Sequence, residues 1–402
     1  MNRISMFELV ALAITVVIST SIMFTPYFAA QAAGQNAWIS VLAAGLIACI
    51  PTAAAAAVMA RFPQQSIIQA MPQLLGGCLG KIVSLLYAGF FLFFAALAIW
   101  RMEAFAVRFL IPDTPQLVIR ILFLAGVAYG ALSGSIPLLR INVYVMPLEV
   151  LVALLVVILP AARLNFSFLL PLFEHGAGPI IDGAVLLLGW FCQVPVVILM
   201  FQRHVSVDLL QGGARKAVIG TLVATVTMVL GVIGILAAFG PEQTATMFYP
   251  AFALVRIISI STFLEHTEVM FVVVWVASIF LATTFYIQAF ADSISDIFNF
   301  TGKSAKVLVM GATVLFLTIW PQFFALSFYA LIAVIKNIGA TAGAVFGGAL
   351  PLLLLVRVVI APPKNNKKNN LPEQSGEKAK EEGKINYDGE REGKDIRGGQ
   401  KK

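Results

Sequence analysis

The sequence predicts an all-α polytopic membrane protein with about ten transmembrane helices. Of its 402 residues, 60% are hydrophobic and only 12% charged, with a mean hydropathy of +0.92. That is more apolar surface than a soluble core of this length can bury. The apolar residues also gather into runs of roughly twenty or more, the length that crosses a bilayer. The first run carries Ser19-Thr20-Ser21 and Pro26 where a plain membrane helix would continue. Broken backbone at membrane depth survives only where protein or a polar cavity surrounds it.

The first run, 6–32, enters from Arg3 and ends in an alanine-rich stretch that resembles a signal-peptide cleavage site. It exceeds a typical signal core and opens a series of similar runs, so it reads as the first span. A second span follows at 37–60, and a long third at 82–110 carries Phe90, Phe91, Phe93 and Phe94, then Arg101, Glu103 and Arg108. The fourth and fifth lie at 117–136 and 142–162, the fifth with Glu149 just after Pro147. The sixth, 179–202, holds Gly189, Gln193 and Pro195; the seventh is 216–240. The eighth, 266–298, offers Thr283, Thr284 and Tyr286, and the ninth is 305–321. The tenth, 325–360, contains Lys336-Asn337 and the small-residue stretch Gly339 to Gly343, which fits close helix approach.

With a cytoplasmic N-terminus, that side receives Arg3, Arg61, Lys81, Arg140, Arg203, Arg215, Lys216, Lys303, Lys306 and Arg357. The opposite side receives only Arg101, Arg108, Arg120, Arg163 and Arg256, some of them within the membrane, so both termini are expected inside. A ten-helix permease-like domain is expected over 1–361. Beyond Pro362-Pro363 the composition turns to Lys, Glu, Gly and Asn, and residues 362–402 read as a disordered, charged cytoplasmic tail. Lys364, Lys367 and Lys368 stand beside the lipid bilayer, where contact with anionic headgroups is weak. Cys49, Cys78 and Cys192 are isolated, and His175, His204 and His266 are scattered, so no disulfide framework, metal site or cofactor is expected. No catalytic triad arrangement or phosphate loop stands out, which argues against an enzyme, and nothing points to nucleic acid.

Ten spans divide as five plus five, and an odd repeat forces the second half to be inverted. Spans one and six then correspond, and these are the two with interruptions, the pattern that marks a central site in inverted-repeat transporters. The expected architecture is therefore a LeuT-like 5+5 inverted repeat with broken helices 1 and 6. Ser19, Thr20 and Ser21 can satisfy backbone groups freed by unwinding, while Gly189, Gln193 and Pro195 offer unusual dihedrals, donors and acceptors, and an interrupted ladder. The exposed helix ends would present N–H groups to a carboxylate and carbonyls to an ammonium, and an amino acid carries both. Helix packing alone is the alternative for these small residues. Spans three and eight would flank the pair, with Phe90 and Phe94 as an apolar wall and Thr283 as polar lining.

Ionisable residues inside apolar runs are costly, so Glu103, Glu149 and Lys336 are candidates for ion coupling or for interface roles. Arg101 and Arg108 lie close to Glu103 along the same span, so a local pair could account for it.

These residues resemble the endospore germination permease family, the B subunits of nutrient germinant receptors, within the amino acid, polyamine and organocation transporter superfamily. The resemblance runs through most of 1–361. It rests on the break ending at Pro26, Thr114-Pro115 and His175-Gly-Ala-Gly-Pro179. Tyr249-Pro250, Phe263-Leu-Glu265, Glu268 with Trp275, and Trp320-Pro321 continue it. The family pattern has Gly-x-Gly at the first break where this chain has Ser19 and Ser21, which narrows or reshapes the pocket. An arginine is usual where this chain has His266. The resemblance implies a germinant pocket at Ser19, Ser21, Phe90, Phe94, Cys192 and Ala282. It further implies a subunit of the spore inner membrane that binds a small-molecule nutrient, such as an amino acid, beside an A subunit and a C-subunit lipoprotein. An ion-coupled amino-acid transporter is the alternative.

Overall fold

The computed structural model describes residues 4–205, 212–257, 267–300, 302–323 and 328–360. Residues 361–402, where the charged tail is expected, and Phe263 to His266 lie outside the described residues. Seven helical segments are long and apolar enough to cross a bilayer, and Met6–Ser21, Gln116–Leu132 and Ser304–Ile319 are shorter apolar helices that complete the ten. The chain is a multi-pass integral membrane protein. Among the described residues the sole strand-like pairing is one bridge between Ile4 and Val205.

The first span forms two helices, α1 (Met6–Ser21) and α2 (Thr25–Ala33). Ser5 caps α1 in a box with Glu8, and Pro26 sits in the first turn of α2, where its missing N–H costs nothing. Next come α3 (Ala37–Met59), the short α4 (Ile67–Leu75), α5 (Gly77–Phe109), α6 (Gln116–Leu132) and α7 (Ser135–Ile158). The second half repeats the order. It has a divided span in α8 (Gly178–Phe191) and α9 (Gln193–Phe201), then α10 (Gly213–Phe239) and the short helices α11 (Pro241–Thr244) and α12 (Pro250–Arg256). It continues with α13 (Thr267–Phe298) and α14 (Lys303–Phe323). The tenth span runs through α15 (Phe328–Ala333), a π-helical turn at Val334–Gly339, α16 (Ala340–Gly343), a second at Ala344–Ala349, and α17 (Leu350–Ile360). The corresponding helices α5 and α13 have 33 and 32 residues, each preceded by short helices, as an inverted repeat requires.

Both divided spans lie in the centre: α1 packs on α7, α9, α10 and α13, while α8 packs on α2, α3 and α16. Every residue of α9 is buried. Apolar side chains such as Leu122, Leu308 and Leu353 face outward on the peripheral helices, where a bilayer would cover them.

Candidate functional site

The first interruption spans residues 22–24, with Phe24 as the cap residue before α2. The carbonyls at the end of α1 are satisfied from neighbouring spans. Trp275 Nε1 on α13 donates to the Ser19 carbonyl at 3.0 Å, and Arg101 Nη1 on α5 donates to the Thr20 carbonyl at 2.9 Å. The Thr20 hydroxyl turns back to the Val16 carbonyl at 2.6 Å, the usual resting place of a helical hydroxyl. The buried hydroxyls of Ser19 and Ser21 have no hydrogen-bond partner among the described residues.

The second interruption is a single residue, Cys192, and it is a kink rather than an unwound loop. The Cys192 N–H still reaches the Leu188 carbonyl at 2.9 Å. Gly189 keeps helical dihedrals, contrary to the sequence expectation; its missing side chain serves contact instead. A Cβ there would lie 1.9 Å from the Ala340 carbonyl oxygen, and one on Gly343 would lie 2.0 Å from that of Gly189. A Cβ on Gly347 would come within 1.8 Å of the Cys192 carbonyl oxygen. The tenth span thus presses backbone to backbone against the kink.

Gln193 joins the two interruptions. Its Nε2 donates to the Thr20 hydroxyl at 3.2 Å and to the Trp190 carbonyl at 3.1 Å, while the Tyr286 hydroxyl of α13 donates to its Oε1. Phe94 packs on this group, its ring 5.6 Å from Tyr286 and 6.0 Å from Trp190, and Phe90 lies against Phe94 with rings tilted at 4.5 Å between centroids. The structure therefore brings Thr20, Gln193, Phe94 and Phe90 together with the end of α1. Cys192 turns its sulfur toward Gly348 of the tenth span. Ala282 is buried on α13, and the Thr283 hydroxyl is spent on the Ile279 carbonyl at 2.7 Å.

The ionisable candidates part company. Glu103 does not pair with Arg101 or Arg108. Arg120 of α6 grips it through Nε and Nη2, the latter at 2.9 Å, and its Nη1 reaches the Thr318 carbonyl of α14 at 3.0 Å. Glu149 is buried, with the Thr15 and Ser278 hydroxyls facing it from α1 and α13 without closing a hydrogen bond of ordinary geometry. Lys336 lies exposed on the outer face of the tenth span, away from the interrupted helices.

Sequence reasoning missed Arg101. It is 1% exposed, with its guanidinium 4.5 Å from the Trp190 ring centroid and 5.4 Å from that of Phe24. The signal was present in the spacing, because residues two apart on a helix point to different sides, so Arg101 and Glu103 cannot share a partner face.

An ion network and an aromatic group stand at the two ends of the bundle. At the end bearing the N-terminus, Arg203 pairs with Asp292 and, at 2.9 Å, with Asp296. Lys306 reaches Asp292 at 2.8 Å, and Ser66 donates to Asp296 at 2.9 Å. A cavity of about 500 Å³ opens beside this network. At the other end a cavity of about 420 Å³ is lined by Tyr27, Arg108, Phe248, Tyr249 and Arg256, among others. Phe24 packs on Phe248 and Tyr249 at 4.9 and 5.5 Å between ring centroids, so aromatic rings separate that vestibule from Arg101.

The family model described as "Spore germination protein" matches residues 3–323. The chain is 24% identical over 274 residues to spore germination protein YndE of Bacillus subtilis (strain 168), covering 67% of this chain and 74% of that protein. It is 22% identical over 322 residues to spore germination protein KB of the same organism, covering 79% and 84%. Among solved structures it is similar to MhsT in complex with L-phenylalanine, a LeuT-fold protein, with a TM-score of 0.58 at 15% identity over 88% of this chain and 94% of that one.

Proposed function

Because the chain belongs to the spore germination permease family, we propose that it is the nutrient-sensing B subunit of a germinant receptor, signalling through a change in its bundle. One observation carries the reading: the two interrupted helices are joined through Thr20 and Gln193 in a buried core, with aromatic rings toward one end and ion pairs at the other. Such a core has discrete open and closed arrangements, and a ligand shifts it only by preferring one of them. The nutrient is a small molecule, such as an amino acid, held among spans one, three, six and eight. An A subunit reads the change, working beside a C-subunit lipoprotein, in the spore inner membrane with both termini on the core side.

The test is germination of spores lacking the gene, complemented with wild type or Ser21→Leu, against single amino acids and other small nutrients. Loss of one response, restored by wild type and not by Ser21→Leu, is the expected result. An unchanged profile in a strain without a redundant receptor overturns the sensing role. A normal response with Ser21→Leu removes the first interruption from the site.

Glu149 favours a second reading, an ion-coupled amino-acid transporter. A buried carboxyl with no hydrogen-bond partner among the described residues is a seat for a proton or cation. Uphill amino-acid uptake into proteoliposomes containing this chain alone, abolished by Glu149→Gln, decides for it.

A further inference from the structure

We propose that Arg101 is an anion anchor that receives the carboxylate of a small ligand beside the first interruption, under a lid formed by Phe24, Phe248 and Tyr249. The inference rests on the nutrient-sensing reading and adds the chemistry of the ligand end that is recognised.

A guanidinium is always charged, and Arg101 is 1% exposed in the middle of the bundle. The carboxylate nearest to it in sequence, Glu103, is held by Arg120. Of the Arg101 donors, Nη1 serves the Thr20 carbonyl at 2.9 Å, and Nε and Nη2 have no partner among the described residues. Those two nitrogens form one edge of the fork, and their N–H bonds run parallel. Arg120 uses the same edge, Nε and Nη2, to grip both oxygens of Glu103. The molecule thus contains its own example of what that edge binds: a planar carboxylate, held bidentate. The Trp190 and Phe24 rings offset only part of the cost of a buried cation, and an incoming anion supplies the rest.

The way in is also built. The vestibule of about 420 Å³ carries Arg108 and Arg256 in its lining. Its floor is the ring group of Phe248 and Tyr249 over Phe24, and Tyr249 is close enough to both Arg101 and Arg108 to feel their charges. Phe24 belongs to the interruption itself, so the ring that must move to admit a ligand is carried by the joint between α1 and α2. The remainder of the ligand meets Trp190 and Phe94, which suits an apolar side chain.

The experiment is calorimetry and thermal unfolding of the full chain in nanodiscs, in a low-salt zwitterionic buffer. The probes are L-alanine, L-valine, L-leucine and L-phenylalanine, their carboxamides, inosine, glucose, and chloride alone. The expected result is that at least one acid binds about tenfold or more tightly than its carboxamide. Arg101→Gln should remove that preference while still binding the carboxamide, and Arg101→Lys should restore part of it. Should Arg101→Gln fail to fold, the comparison of acid with carboxamide on the wild type decides alone. Equal binding of acid and carboxamide, or a preference that survives Arg101→Gln, overturns the anchor. An Arg101-dependent response to chloride with none to any acid also overturns it, in favour of a halide site. Binding of inosine or glucose only sinks the anchor and leaves nutrient sensing standing, whereas no binding of any probe sinks both.

Discussion

Gln193 Nε2 on the sixth span donates to Thr20 Oγ1 on the first at 3.2 Å, so one side chain spans the two interruptions of the bundle. Tyr286 of α13 closes the group by donating to the Gln193 oxygen. Every atom of this group is buried, and in a medium without water each bond lost leaves an unsatisfied polar atom.

Gln193→Leu should therefore weaken both stability and response. It strands the Tyr286 hydroxyl and releases Thr20, a loss of about 1–3 kcal/mol. Unfolding in nanodiscs should show the drop, and the nutrient concentration for half-maximal germination should rise roughly tenfold, the factor that about 1.4 kcal/mol represents. Tyr286→Phe strands only the Gln193 oxygen and keeps the Gln193 bonds to Thr20 and Trp190, so it should cost less. Equal losses for the two variants would show that those two bonds add nothing beyond the Tyr286 bond.

The Glu103–Arg120 pair makes a separate prediction. The pair ties α5 to α6 and, through Thr318, to α14, with side chains only 2% and 6% exposed. Glu103→Gln leaves Arg120 buried without its counter-charge and should lower stability by about 3–5 kcal/mol. Glu103→Leu combined with Arg120→Leu should recover much of that loss, because neither charge is then stranded. Thermal unfolding of the three variants in nanodiscs checks the order. A double variant as unstable as the single one would mean that the pair is not the source of the loss.

The sequence shows the spans well because hydropathy is read directly by lipid, and it shows both interruptions because Pro26 and Gly189 punctuate otherwise continuous runs. It hid α4 and α12, which are short and flank the spans. Side-chain partners were harder. Glu103 has two arginines near it in sequence, yet its partner is Arg120, seventeen residues away on another helix. Gly189 reads as a dihedral breaker, but only the position of the tenth span reveals that it is a contact glycine. Ser19, Ser21, Thr20 and Gln193 were legible as polar residues at the breaks, whereas Arg101 looked like half of a local ion pair.

Gly189→Ala tests that contact. The added methyl would meet the Ala340 carbonyl oxygen at 1.9 Å, a backbone atom that no side-chain rotation can relieve. Separating α8 from α16 should cost at least about 1–3 kcal/mol and weaken the nutrient response with it. Gly311→Ala, where a Cβ meets nothing within 4 Å, is the control and should change stability by no more than about 0.5 kcal/mol. A Gly189→Ala variant as stable as that control would mean that the tenth span moves away from the kink without penalty.

The ion network at the N-terminal end should resist opening of the bundle there, because its bonds cross between elements. Asp292 holds both Arg203 and Lys306, and it links the turn after α9 with α13 and α14 across the mouth of a cavity of about 500 Å³. Asp292→Asn removes the charge but keeps the shape, and Arg203 retains Asp296 at 2.9 Å. The loss should therefore be smaller than that of a fully buried pair, about 1–2 kcal/mol. In a two-state bundle this multiplies the open population by roughly five- to thirtyfold without touching the site proposed for the nutrient. The expected outcome is faster thiol labelling of a Ser135→Cys reporter at the cavity wall, together with germination at lower nutrient concentration or with none. Labelling unchanged by Asp292→Asn would show that the network is not the closure. Faster labelling with an unaltered germination response would separate opening at this end from the signal.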